Sequence, residues 1–429
     1  MKKTKYPRGV YVAMICLSML FAVTYSVPYV KSVFYDGMLA MTKVSNEKLG
    51  ILMTIYGLGE ILTLGIGGVI ANRFNHRAII VISSLGTALG CLLFALFPSF
   101  AMSLIVWTIL VFSTLFMVWG TLFKAMRLMV SDEQQGELAG WFAGLIGLNY
   151  LIVNIVCLGV YSLFGKGNDV AGMKAVFYTF AILMVIFTFV TSFALKKVGI
   201  RNETALAEAK DGTTQSFFSD LKAVVRYRSV WYFGGTLFCI YSATVTITYF
   251  TPYFTDVLGV AAGLAGVIAI VRSYGTKLIG APLGGVVAGK IKSVTTTIIY
   301  TFVGAAACLL VTLLVPGGKS QGIVITITVF VMLAALFNNA GNGIQYALPT
   351  EGKVPVRYYA AAIGFGSALG FLPDLYQHVL FGYWIDTYGK AGYSYIFLYG
   401  IIASVLGMGL LLIYNVDLKR QAKIPEAVH

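Results

Sequence analysis

Twelve apolar segments follow one another through this chain, each about as long as a bilayer needs, and they leave little choice of fold. They run over residues 9–32, 49–71, 78–97, 102–126, 138–163, 174–195, 230–252, 262–288, 295–315, 322–348, 358–384 and 392–415. Only 11% of the 429 residues are charged, against about a quarter in a soluble protein, and the mean hydropathy is +0.84. Inside lipid each segment must satisfy its own backbone hydrogen bonds, and these are too long and too evenly apolar for barrel strands. The expected fold is an all-α integral membrane protein with twelve transmembrane helices. No cleavable signal peptide is expected, because the first apolar run is too long for one.

A short phrase occurs twice at an interval of about half the chain. Gly67-Gly68-Val69-Ile70-Ala71-Asn72-Arg73 returns as Gly284-Gly285-Val286-Val287-Ala288-Gly289-Lys290. Each copy ends an apolar segment and opens a basic loop. A repeat at this spacing predicts two similar six-helix bundles, the architecture of transporters. The expected division is 1–195 for the first bundle, 196–229 for a cytoplasmic linker and 230–429 for the second. Phe217, Phe218, Leu221, Val224 and Val225 recur at helical spacing in the linker and suggest an amphipathic surface helix, although a simple tether is the plainer reading.

Lysine and arginine counts orient the chain. The termini, the linker and the loops holding Arg73, Arg77, Lys290, Lys292, Lys353 and Arg357 share one face, whereas the other has only Lys43, Lys48, Lys166, Lys174, Lys319 and Lys390. The positive-inside rule then places both termini in the cytoplasm, with the protein in the cytoplasmic membrane. The formal charge of +14 is spread over many loops, which argues against nucleic-acid binding. The five cysteines lie inside segments at no metal spacing and are expected to be packing residues, and no cofactor or metal is expected. There is no G-x-x-x-x-G-K-[ST] loop, so ATP hydrolysis is not expected.

The first repeat copy, Gly68-Val-Ile-Ala-Asn72-Arg73-Phe-Asn-His-Arg77, resembles the loop signature of the major facilitator superfamily between spans 2 and 3. Its twin at Gly285–Lys292 falls between spans 8 and 9, where that family has its second copy. The resemblance implies a monomeric secondary transporter working by alternating access. It also implies a gate built from Gly68, Asn72, Arg73, Arg77, Gly285 and Lys290. The family's acidic residue is replaced by Asn72 and Gly289, which implies a weaker gate contact. Val44–Gly50 and Lys124, twelve residues before Gly136, are similar to the organophosphate:phosphate antiporter branch. That branch's two substrate arginines would fall near Tyr29 and Thr244, neither of them basic, with Lys31 close to the first.

A charge near the bilayer centre costs at least about 2.5–3.5 kcal/mol, so each one there requires a reason. Glu60, Arg272, Lys277, Asp374 and His378 lie deepest. Arg272 with Lys277 suits an organic anion, the planar guanidinium supplying paired donors; the bland reading pairs them with Glu60 and Asp374. Glu60, Asp374 and His378 are candidates for proton coupling, the last two at i, i+4, with a structural role open for each. Lys31 is expected to snorkel, and Lys124 to anchor the inner end of span 4, each with a substrate role as the sharper alternative. Asn338, Asn339, Asn342 and Gln345 with Gly341 and Gly343 suggest a polar wall along span 10, which Tyr25, Tyr29, Tyr249 and Tyr346 could extend. These residues favour a small organic anion, a carboxylate or sugar acid, moved with protons or by exchange. Efflux of a hydrophobic or cationic compound, with Glu60 and Asp374 as its acids, is the alternative. A membrane enzyme or sensor fits less well, since three histidines and short loops supply neither a catalytic cluster nor a signalling domain.

Overall fold

The computed structural model describes residues 6–63, 75–130, 135–199, 220–355 and 358–421. Among these, all regular structure is helical, and nine helices are individually long and apolar enough to cross a membrane. The other three spans are shorter in one piece. Span 2 is described over Asn46–Thr63. Span 4 changes from α-helix at Phe100–Leu110 to a π turn at Val111–Trp119 and back to α-helix at Gly120–Leu128. Span 11 is split into Tyr359–Gly370 and Pro373–Tyr388. Twelve helical segments therefore traverse the fold in the order expected.

Spans 1, 3, 5 and 6 are Arg8–Ser26, His76–Leu96, Gln135–Gly165 and Asp169–Val198. A short helix, Tyr35–Thr42, joins spans 1 and 2. Span 7 is Arg228–Thr248, continued by Phe250–Asp256. Span 8 is Ala262–Ile270, a π turn at Val271–Gly275, and Thr276–Ile291. Spans 9, 10 and 12 are Val294–Leu314, Gln321–Ile344 and Lys390–Gln421. Polar caps begin several of them. The side chains of Asn75, Ser99, Asn168, Ser293 and Ser320 each accept from a backbone N–H in the first turn.

The chain divides into two compact units: Met1–Thr214 with Ala262–Ile270, and Gln215–Ala261 with Val271–His429. In unit 1, span 1 packs on spans 5 and 6, span 3 on spans 4 and 6, and span 2 on span 4. In unit 2, span 7 packs on spans 11 and 12, span 9 on spans 10 and 12, and span 8 on span 10. Adding six to each span number in the first set yields the second. The packing of the described spans thus repeats from one unit to the other.

Helices in lipid gain nothing from apolar burial between themselves, so close backbone approach and interhelical hydrogen bonds hold them together. Span 8 meets span 10 through glycines: a Cβ on Gly284 would lie 2.3 Å from the Ala340 carbonyl oxygen, and one on Gly280 2.8 Å from that of Leu336. Gly285, its neighbour in the repeat, has nothing within 4 Å. Gly59 similarly admits Val111 of span 4. Polar ties include Asn154 Nδ2 to Ser26 Oγ at 3.2 Å between spans 5 and 1, and Thr87 Oγ1 to Ser113 Oγ at 2.8 Å between spans 3 and 4. The five cysteines are buried. Large apolar residues such as Phe193 and Leu314 stand outward, as lipid requires.

Of the apolar series in the linker, Phe217 and Phe218 lie outside the described residues and Val225 is exposed. Val224 is fully buried against Val230, Val354, Ala361 and Ala362, with Leu221 packed on the same cluster. One expectation changes here. Lys31 does not snorkel. It is buried in a 3₁₀ turn, Val30–Ser32, that follows the end of span 1 at Ser26.

Candidate functional site

Each unit holds a cluster of polar side chains inside its spans. In unit 1, Tyr29, on the turn after span 1, donates its hydroxyl to Glu60 Oε1 at 2.7 Å. The Tyr29 ring meets the Tyr56 ring edge to face, with centroids 5.6 Å apart. Tyr56 shares a hydrogen bond of 2.8 Å with Thr114 Oγ1, and Tyr25 donates to the Thr114 carbonyl at 3.0 Å. Thr114 belongs to the π turn of span 4, where the wider winding loosens the regular ladder and leaves a carbonyl for a side chain. The buried Lys31 follows Tyr29 by two residues.

In unit 2 the break in span 11 sets the geometry. The helix stops at Gly370, Pro373 opens the next segment at its first position, and Asp374 falls in the new first turn. Proline suits that position because its missing N–H has no partner to lose there, and a carboxylate suits it because the helix N-terminus is positive. Asp374 Oδ2 accepts from the Tyr241 hydroxyl at 2.7 Å, and Oδ1 lies 3.2 Å from His378 Nε2. On the far side of the imidazole, the Tyr249 hydroxyl donates to the His378 carbonyl at 3.0 Å and lies 3.3 Å from Nδ1. Gln377 donates to the Ser242 carbonyl at 2.8 Å. Span 7 thus holds span 11 through three residues.

Arg272 lies in the π turn of span 8 and is 1% exposed. Its Nη2 donates to Thr251 Oγ1 at 3.1 Å, and its own carbonyl accepts from the Thr276 hydroxyl. Asn339 Nδ2 donates to that same hydroxyl oxygen at 2.9 Å, so span 10 props the π turn from behind. Lys277 occupies a different environment, exposed beside Leu278 and Ile279. Lys277 follows Arg272 by five positions, beyond the end of the π turn, and Arg272 is buried where Lys277 is not.

The amides of span 10 divide in the same way. Asn338 is buried and donates to Thr244 Oγ1 at 2.7 Å; Gln345 is buried and donates to Asn342 Oδ1 at 3.1 Å. Thr244 is thus a hydrogen-bond partner of span 10, and Tyr29 that of Glu60. Tyr249 is buried, whereas Tyr346 is 37% exposed. Of the gate residues, Gly68, Asn72 and Arg73 lie outside the described residues. Arg77 begins span 3, with its backbone N–H held by Asn75 Oδ1 at 2.9 Å, and Lys290 is exposed at the end of span 8. Lys124 is placed in the helical segment Gly120–Leu128. Among the described residues, no group of three or more His, Cys, Asp or Glu is set to hold a metal ion.

Tyr241, Ser242, Thr251 and Gln377 are not singled out by the sequence. For the first three the signal is the run of polar residues at 241, 242, 244, 246, 248 and 251 in span 7, which helix-to-lipid contact cannot explain; Gln377 has no such signal.

Two repeated helical bundles with ionisable side chains inside their spans define a solute transporter of the membrane. Comparison with known proteins agrees: residues 9–373 match the Major Facilitator Superfamily, and the chain belongs to it. It is 28% identical over 413 residues to the inner membrane protein YqcE of Escherichia coli (strain K12), covering 95% of this chain and 94% of that one. Among solved structures it resembles a bacterial homolog of the human lysosomal transporter Spinster, with a TM-score of 0.76 at 14% identity, covering 98% of this chain and all of that one. It also resembles a D-xylose-proton symporter, with a TM-score of 0.70 at 16% identity, over 93% and 96% of the two chains. At such identities the two structures speak for the fold. The protein is therefore a multi-pass membrane transporter of small molecules.

Proposed function

We propose that this transporter moves a small organic anion, a carboxylate or sugar acid, across the cytoplasmic membrane by alternating access. It acts as a monomer with both termini in the cytoplasm, and proton movement or exchange supplies the driving force. The reading rests on Arg272. A guanidinium buried in a π turn, with Nη2 on Thr251 and its turn propped by Thr276 and Asn339, is a planar set of donors of the kind that suits a carboxylate. Evolution tolerates such an insertion cost chiefly along a substrate path.

Asn338 and Asn342 would bind the solute's polar body, and Lys277, Lys31 and Lys124 would draw the anion in. Tyr29 would add a polar contact for the solute, and Glu60, to which it donates, is a further candidate for proton coupling. Lys290 and Arg77, with Gly68, Asn72, Arg73 and Gly285, would form the inner gate. The inner-membrane name of the Escherichia coli relative and the excess of cations on one face support the placement.

Asp374 and His378 would couple transport to protons: they face each other at 3.2 Å across one turn of a helix inside the spans, and an imidazole beside a carboxylate is an arrangement that can pass a proton. Proteoliposomes loaded with gluconate or glucuronate test the proposal. Asp374→Asn should abolish accumulation driven by a pH gradient while leaving exchange of solute across the membrane. Equal loss of both would contradict coupling there, and transport of lipophilic cations in place of either acid would overturn the substrate class.

A further inference from the structure

Unit 2 has a cavity of about 510 Å³ where span 7 ends, the connection between spans 9 and 10 passes, and span 12 begins. Span 12 runs from this cavity to the C-terminal end of the chain, so the cavity lies at the end of the bundle opposite the described C-terminus. Lys319 and Lys390 both line it. They are two of the few cations on the sparsely charged face, and the topology rule that explains the other lysines does not explain these.

The backbone accommodates them. Gly259 has φ +68, and a Cβ there would stand 3.0 Å from Lys319 Cε, so the lysine stem lies against bare backbone. Gly317 and Gly318 add lining without side chains. Lys390 is the first residue of span 12, a helix of 32 residues whose positive end therefore faces the cavity with it. Tyr253 and Ser394 supply hydroxyls, and the Tyr253 ring packs on Phe397, with centroids 5.0 Å apart, as a firm floor. The neighbouring carboxylate, Asp256, accepts from Tyr393 at 2.5 Å.

The surface next to the cavity is apolar. Leu313 lines it, the adjacent Leu314 is 72% exposed, and Leu310 and Leu398 continue along spans 9 and 12. Cations and hydroxyls at a helix end, with exposed leucines running from there along the same two spans, match the two parts of a phospholipid. The geometry points to a site for an anionic phospholipid, its phosphate held by Lys319 and Lys390 and its acyl chains lying along Leu310, Leu314 and Leu398. Such a lipid would brace spans 7, 9 and 12 against one another, whatever solute the transporter carries.

The test is native mass spectrometry of the whole chain. It is extracted from membranes of phosphatidylcholine alone or mixed with phosphatidylglycerol, with retained lipid counted. The wild type should keep phosphatidylglycerol in preference, and retention should fall about fivefold for each lysine removed in Lys319→Gln and Lys390→Gln. The control pair Lys48→Gln and Lys174→Gln should retain as much as the wild type. Thermal midpoints in pure phosphatidylcholine, equal for all variants, show that the fold is intact. Equal retention of the two lipids, or an unchanged Lys319→Gln/Lys390→Gln double variant, overturns the site. Displacement of phosphatidylglycerol by soluble glycerol phosphate at comparable concentration overturns the lipid assignment and makes the site one for free phosphate esters.

Discussion

The Tyr241 hydroxyl lies 2.7 Å from Asp374 Oδ2, and in the other unit the Tyr29 hydroxyl lies 2.7 Å from Glu60 Oε1. Each unit thus holds a carboxyl group inside its spans by a phenol from another segment. A phenol donates to a carboxylate and accepts from a carboxylic acid, so such a contact survives gain or loss of a proton. That property is what a group exchanging protons within a membrane requires.

Tyr241→Phe keeps the ring, which packs edge to face on Phe371, and removes only the hydroxyl. The oxygen left behind should cost about 1–3 kcal/mol, read as a lower thermal midpoint of the purified protein. Tyr241→Phe should also move the pH dependence of transport, whereas Tyr376→Phe, an exposed phenol paired with Tyr399, should not.

Arg272→Gln should weaken solute binding about 10- to 100-fold, the value of one charge-assisted contact. Arg272→Lys should not restore it, because an ammonium cannot reproduce the planar pair of donors or reach both Thr251 and a carboxylate in one plane. Binding isotherms on the solubilised protein check both. Recovery by lysine would mean that charge alone matters.

Gly284→Ala and Gly285→Ala test the packing of span 8 on span 10. The first puts a methyl group into the Ala340 carbonyl and should cost about 1–3 kcal/mol or more; the second enters open space and should be close to neutral. Thermal midpoints of the two variants should separate clearly. Equal midpoints would refute the close approach.

Glu351 ties the end of span 10 to the start of span 9. Its carboxylate accepts from Ser293 Oγ at 2.9 Å, from the Thr295 backbone N–H at 2.8 Å and from Thr295 Oγ1 at 2.7 Å. Glu351→Ala should lose about 0.5–2 kcal/mol, as removal of a helix cap does, with substrate affinity unchanged. A thermal scan beside a binding isotherm separates the two effects.

Much of the architecture is legible in the sequence because the bilayer makes helix length and apolarity nearly the same thing. The repeat at Gly67 and Gly284 announces two bundles, and the deep charges announce where polar clusters form. Helix irregularities are not legible. The π turns at Val111–Trp119 and Val271–Gly275 arise from packing and side-chain capping of freed carbonyls, and neither contains a residue that breaks a helix by itself, apart from Gly275. Lys31 departs from its snorkelling expectation for a related reason: span 1 stops at Ser26, short of the apolar run, and the turn that follows buries the lysine. The reverse holds at Pro373, where proline chemistry makes the break and the break places Asp374.

The most direct test of the anion reading is thermal stabilisation of the purified protein by a panel of carboxylates, sugar acids, phosphate esters, neutral sugars and lipophilic cations. The account predicts a rise with carboxylates or sugar acids that disappears in Arg272→Gln while that variant remains folded. A rise confined to lipophilic cations and preserved in Arg272→Gln would contradict it.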